Sequence, residues 1–174
     1  MNIDLQKWPM GMLYNGIKKY DETKYWKMRA EVVDPNSRKP KWVRLWYLYR
    51  IKKSDAFNCA SMGTDLGRGA SFKTPPILMH GLNGILISHF AAIGANCVIY
   101  QQVTVAGDEK NRAAVIGDNC LIGAGARIIG NVKIGDNVKI GANAVVVRDV
   151  PSDCTAVGVP ARIIPHKPAP EKAE

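Results

Sequence analysis

Between Ile87 and Val146 an aliphatic residue returns at every sixth position: Ile87, Ile93, Ile99 and Val105, then, after an interruption, Ile116, Ile122, Ile128, Ile134, Ile140 and Val146. Glycine directly follows several of them, at 94, 117, 123, 135 and 141. Four places after most of them stands a small or β-branched residue: Cys97, Val103, Cys120, Ala126, Val132, Val138 and Ala144. A helix buries residues at spacings of three and four, and a half-buried strand at spacings of two. A period of six fits neither. It fits a chain that turns a corner every six residues, so that three short strands close one triangular coil of about eighteen residues. The pattern predicts a mainly β chain built as a parallel β-helix. The Ile/Val ladder fills the axis, the small residues make room for it, and glycine and Asn96, Asn131, Asn137 and Asn143 ease the corners, where a positive φ is expected.

The period divides the chain into a basic helical segment (1–56), the β-helix (57–164) and a flexible tail (165–174). Residues 1–53 carry 13 Lys+Arg against 5 Asp+Glu, so the net charge of +9 belongs almost wholly to the first segment. Asp21 is placed to cap a helix running to about Val33, with Glu22 in its first turn. Pro35-Asn36-Ser37 breaks the chain, and a second helix is expected from about Pro40 to Asp55. Its residues Trp42, Leu45, Trp46 and Tyr49 share one face. Three destinations for that face stay open: the repeat domain or a neighbouring subunit, peripheral association with an anionic membrane surface, and a nucleic acid, for which no recognised module accompanies the charge.

Residues 57–86 predict an irregular first coil. Between Val105 and Ile116 the register slips by one, and the polar stretch Ala106–Ala114 is expected to loop out of a corner, as functional loops of solenoids do. The start, MNIDLQKWPM, lacks the features of a signal peptide, and no apolar run is long enough to span a membrane. The four cysteines form no metal or redox spacing, and Cys97 and Cys120 occupy small-residue slots, which points to a reducing cytoplasm.

The repeats, with MHGLNGILIS…IGANCVIYQQVTVAG at 79–107, IGAGARIIG at 122–130 and VGVPARII at 157–164, resemble the serine acetyltransferase-like branch of the hexapeptide-repeat acyltransferases. The resemblance implies left-handed coils, homotrimers or pairs of trimers, and acetyl transfer from acetyl-CoA, a co-substrate used without any metal, to a hydroxyl. It implies a histidine base before a Gly-Ile-Val-type strand, the place of His80, and a carboxylate fifteen residues upstream that pairs with it, the spacing of Asp65. His89 is a rival base, and His166 lies in the tail. The implied coenzyme groove falls on Gly123, Ala124 and Gly125, on Ala142, and on Val159, Pro160, Ala161 and Arg162, with Lys139 and Arg148 as further cations for its phosphates. An Arg-His pair after the loop holds the acceptor carboxylate in serine enzymes. Arg112 matches its arginine, but Ala113 replaces the histidine. That departure, and a first segment shorter than the family's helical domain, turn the expectation toward a saccharide acceptor in cell-surface polysaccharide synthesis, with free serine as the alternative. A non-catalytic β-helix scaffold is a different class. So is a zinc hydratase of the γ-carbonic anhydrase type, which needs three converging histidines, whereas His166 lies outside the coils.

Overall fold

The computed structural model of the protein describes residues 19–166. Helix α1 (Glu22–Val33) starts at Asp21, whose side chain accepts a hydrogen bond from the Lys24 N–H, and ends at Asp34 before the proline break. Helix α2 (Lys41–Phe57) starts after Pro40 and runs two residues beyond the expected Asp55. From Ser61 onward the chain is a left-handed parallel β-helix of about four coils.

Each coil places one short strand on each of three faces. The first face stacks Ser61–Met62, Leu86–Ile87, Thr104–Ala106, Arg127–Ile129 and Val145–Val146. The second stacks Ser71–Phe72, Ala92–Ile93, Val115–Ile116 and Lys133–Ile134. The third stacks Ile77–Leu82, Val98–Ile99, Leu121–Ile122, Lys139–Ile140 and Cys154–Val157, and Arg162–Pro165 closes it as an antiparallel strand. Every aliphatic of the six-residue ladder pairs with its counterpart one coil away, for example Ile116 with Ile134 and Ile122 with Ile140. All ten are buried, as are the small-residue slots, with Cys97, Val103, Ala126, Val138 and Ala144 at zero exposure. Each buried Ile or Val contributes about 1.5–3 kcal/mol by transfer out of water, so the column is the main source of cohesion.

The glycines behind the aliphatics serve a different purpose from the one expected. Gly117 and Gly123 do not have positive φ. A Cβ on Gly123 would stand 2.7 Å from the Ala142 nitrogen, and one on Gly117 would stand 2.8 Å from the Gly135 carbonyl carbon. Close approach of the next coil, and not turning, excludes a side chain there. The turning is done two residues after these glycines by Asn96, Asn119, Asn137 and Asn143, all with φ of 56–57°. Asn131 is not among them, because Gly130 takes the positive φ at its corner. Asn96, Asn119, Asn137 and Asp153 also form a ladder of side-chain hydrogen bonds along the edge between the second and third faces.

The interruption after Val105 does not disturb the stack. Val105 pairs with Ile128, so the extra residues are accommodated at one corner. Ala113 and Ala114 are buried, which shortens the expected loop to 107–112. The first coil carries the other irregularity, an antiparallel hairpin of Thr64–Asp65 with Arg68–Gly69. Helix α1 sits on that hairpin through the Gly67 N–H, which donates to the Val32 carbonyl.

The helical pair covers the first coil. Tyr25, Trp26, Val32 and Ile51 join Met62, Leu82 and Ile85 in one continuous core. Inside this cap Arg29 is buried, donating to the Thr64 hydroxyl and to the carbonyls of Met62 and Ala70, and Tyr25 donates to Asp55 at 2.6 Å. The aromatic face of α2 does not pack on the repeat domain. Trp42, Leu45, Trp46 and Tyr49 are exposed, and the opposite face, with Tyr47, Leu48 and Ile51, meets the core. Both faces of α2 are apolar, so spacing alone could not choose between them.

Pro165 and His166, expected in a flexible tail, are part of the end cap: the His166 N–H donates to the Asp153 carbonyl, and its Nε2 lies 3.0 Å from the Thr155 hydroxyl. The remaining tail and the first eighteen residues lie outside the described residues. No helix among the described residues is long and apolar enough to cross a membrane.

Candidate active site

The edge between the third and first faces gathers most of the sequence-predicted site. His80 lies near the end of the strand Ile77–Leu82, exposed, with its ring centroid 6.1 Å from that of Tyr100 on the next coil. Above Tyr100 the same edge is formed by Gly123-Ala124-Gly125, then by the corner containing Ala142, then by the turn Val159-Pro160-Ala161. The contacts follow that order: Gly125 donates to the Gln101 carbonyl, Asn143 to Ala124, Val145 to Gly158, and Ala161 back to Val145. A histidine and three small-residue corners therefore form one row parallel to the axis.

The row is lined by backbone more than by side chains. Among the described residues, the N–H groups of Ala124 and Ala142 donate to no acceptor. Unengaged amides beside glycine and alanine suit an extended chain with amide groups of its own, which can lie against backbone and exchange hydrogen bonds with it. Arg162 is exposed on the closing strand, and Lys139 is exposed on the third face. Arg148 bends onto the row and donates to the Ala161 carbonyl.

Three residues of this edge escaped the sequence reading. Tyr100 lies beside His80 with its ring tilted 55° to the imidazole. Arg127, directly after the IGAGA run, donates to the Gly125 carbonyl. Gln101 holds a buried side-chain oxygen with no hydrogen-bond partner. The signal for Tyr100 and Gln101 was available: they occupy the corner one coil above His80.

Asp65 is not His80's partner in the chain. It sits on the hairpin at the edge between the first and second faces, where Arg68 Nη2 approaches its carboxylate to 3.4 Å and His89 Nε2 to 3.9 Å. The spacing of fifteen residues misled because the hairpin extends this coil: Met62 pairs with Ile87, well beyond the usual eighteen. Arg112, the expected acceptor ligand, is held within its own loop. Its Nε donates to Asp108 Oδ2 at 2.8 Å and its backbone N–H to Asp108 Oδ1, and this pairing keeps the Asp108 carboxyl below the usual range. Among the described residues no group of three or more His, Cys, Asp or Glu side chains is placed to hold a metal ion.

Residues 113–148 match the bacterial transferase hexapeptide family (six repeats). Over 105 residues the chain is 45% identical to a serine acetyltransferase of Synechococcus elongatus, covering 59% of this chain and 43% of that protein. A crystal structure of serine acetyltransferase from Neisseria gonorrhoeae in complex with serine aligns with a TM-score of 0.57 and 38% identity, covering 70% of this chain and 48% of that one. A crystal structure of the Brucella abortus strain S19 serine acetyltransferase in complex with coenzyme A aligns with a TM-score of 0.65 and 26% identity, covering 89% of this chain and 56% of that one. The chain spans about half the length of the relatives it matches.

Proposed function

We propose that this chain, a hexapeptide-repeat protein of the serine acetyltransferase-like branch, transfers the acetyl group of acetyl-CoA to a hydroxyl, and that the hydroxyl is that of serine. The observation that carries the reading is the row on one edge: an exposed imidazole at its start and small, amide-lined corners along the rest. Similarity to serine acetyltransferases, over more than half of this chain, supports serine as acceptor above the saccharide expected from Ala113. The pantetheine arm lies along Gly123–Gly125 and Ala142, with the Ala124 and Ala142 amides as donors. Val159–Arg162 and Arg148 receive the nucleotide end.

In this arrangement His80 accepts the proton of the acceptor hydroxyl as that oxygen bonds to the acetyl carbon. The carbon–sulfur bond breaks, and the imidazolium returns its proton to the departing sulfur. The buried columns of Cys97 and Cys120 suit a reducing cytoplasm. Exposed Leu86, Ile129 and Val147 on the first face give a surface through which three copies associate.

One observation favours the second reading, a sugar hydroxyl. Arg112 is paired with Asp108 and followed by Ala113, so the guanidinium that would hold a carboxylate acceptor is already engaged by a carboxylate of its own loop. The deciding experiment measures free thiol released from acetyl-CoA with serine, with a panel of mono- and disaccharides, and with no acceptor. Serine-dependent release supports the main reading, saccharide-only release transfers the assignment to the second, and release with neither removes both.

A further inference from the structure

The exposed face of α2 is an apolar ridge framed by cations. Trp42 is 73% exposed, Trp46 51%, Tyr49 60% and Phe57 50%, with Leu45 between them. From Trp42 to Phe57 the ridge runs about 22 Å along the helix. Three of its rings already carry a cation: Arg50 lies 5.2 Å from the Trp46 ring, Lys53 lies 6.0 Å from that of Tyr49, and Lys19 lies 4.4 Å from that of Phe57. Lys41 and Lys52 are exposed beside them. The only acidic residue of α2, Asp55, is buried on the opposite face against Tyr25.

We infer that this ridge is a docking surface for an anionic lipid bilayer. Charge chooses the occupant. A second copy would bring the same cluster of cations against itself, with no carboxylate on the helix to answer it. A bilayer surface with negative headgroups answers the cations, and its interfacial zone accepts Trp and Tyr rings lying flat. The helix is anchored from behind by Ile51, Tyr47 and Leu48 in the core, so the ridge is presented on a rigid support and no ordering of a disordered segment is required. Such docking does not depend on which acceptor is used.

The test is co-sedimentation of the full chain with vesicles of phosphatidylcholine alone and with vesicles containing about a third phosphatidylglycerol. Binding to the second and not the first is expected, with a blue shift of tryptophan emission and loss of binding as salt is raised. Two variants probe separate parts, Trp42→Ser with Trp46→Ser for the rings and Lys52→Glu with Lys53→Glu for the charge. Each should lower partitioning about tenfold or more while the circular dichroism spectrum stays that of the parent. Absence of binding to the anionic vesicles overturns the inference. So does binding that neither variant weakens, and so does self-association of the chain that the ring variant abolishes, which would make a second copy the occupant.

Discussion

The carboxylate of Asp65 lies 3.9 Å from Nε2 of His89, one edge of the prism away from the row that begins at His80. A base that works with this carboxylate would have to be His89, whereas a base that works on the row has to be His80. The two substitutions therefore separate. Asp65→Asn should leave acetyl transfer within about threefold of the parent, and His80→Asn should lower kcat by ~10²-fold or more, the usual cost of losing a general base. Steady-state rates of thiol release for the two variants check this. The reverse ranking would move the chemistry to the hairpin edge.

Gly117 tests the reason for glycine behind each aliphatic. Gly117→Ala would bring a methyl group to 2.8 Å of the Gly135 backbone, away from the row. Overpacking against backbone costs about 1–3 kcal/mol, which lowers Tm by about 2–4 °C per kcal/mol in a chain of this size. Thermal unfolding should show the loss. If φ were the reason, Gly117→Ala would be nearly silent, since this position does not have positive φ.

Asp55 sets a pH dependence in the helical cap. Burial raises its carboxyl to about 6, against the opposing pull of the Tyr25 hydrogen bond and of the Lys52 and Arg29 charges. The folded state therefore holds this proton more tightly than the unfolded one. The associated stability is fully present below about pH 4 and is lost as pH rises through about 6, an effect of up to ~2–3 kcal/mol. The difference in unfolding free energy between the parent and Asp55→Asn, taken from urea midpoints and m and followed from pH 4.5 to pH 7, should shift in favour of the variant by about 2 kcal/mol. A difference that stays constant with pH contradicts it.

The loop at Arg112 gives a test of the acceptor. If serine is bound through Arg112, its carboxylate must displace Asp108 from the guanidinium. Arg112→Ala should then raise the KM for serine by about tenfold or more, while the KM for acetyl-CoA is unchanged. Asp108→Asn should lower the serine KM. Initial rates over a range of each substrate give both values, and an Arg112→Ala variant with the parental serine KM removes this residue from the acceptor site.

The repeat was legible because its constraint is local and recurrent. Each of Ile116, Ile122, Ile128, Ile134 and Ile140 had to face one axis, and any other winding would have exposed them. The capped start of α1 was legible for the same reason, since Asp21 and Lys24 are three residues apart. What failed depended on insertions. The hairpin at Thr64–Gly69 lengthens one coil, so a spacing counted along the chain placed Asp65 opposite the wrong histidine. The packed face of α2 was hidden because tryptophans mark its outer side as strongly as Ile51 marks its inner one. Asn119 was overlooked at a corner and Asn131 wrongly included, because the positive φ falls two residues after each glycine of the Ile-Gly pairs at 94, 117 and 135, and the count was not carried across the loop.

On the proposed reading, the edge from His80 through Gly123 and Ala142 to Pro160 is the track of coenzyme A. A crystal structure of the full chain with coenzyme A tests it most directly. The pantetheine arm should lie along that edge, hydrogen-bonded to the Ala124 and Ala142 amides, with its sulfur within about 5 Å of the His80 imidazole, the reach of a bridging hydroxyl. Coenzyme A bound on another edge, or with its sulfur beside the Asp65–His89 pair, would contradict it.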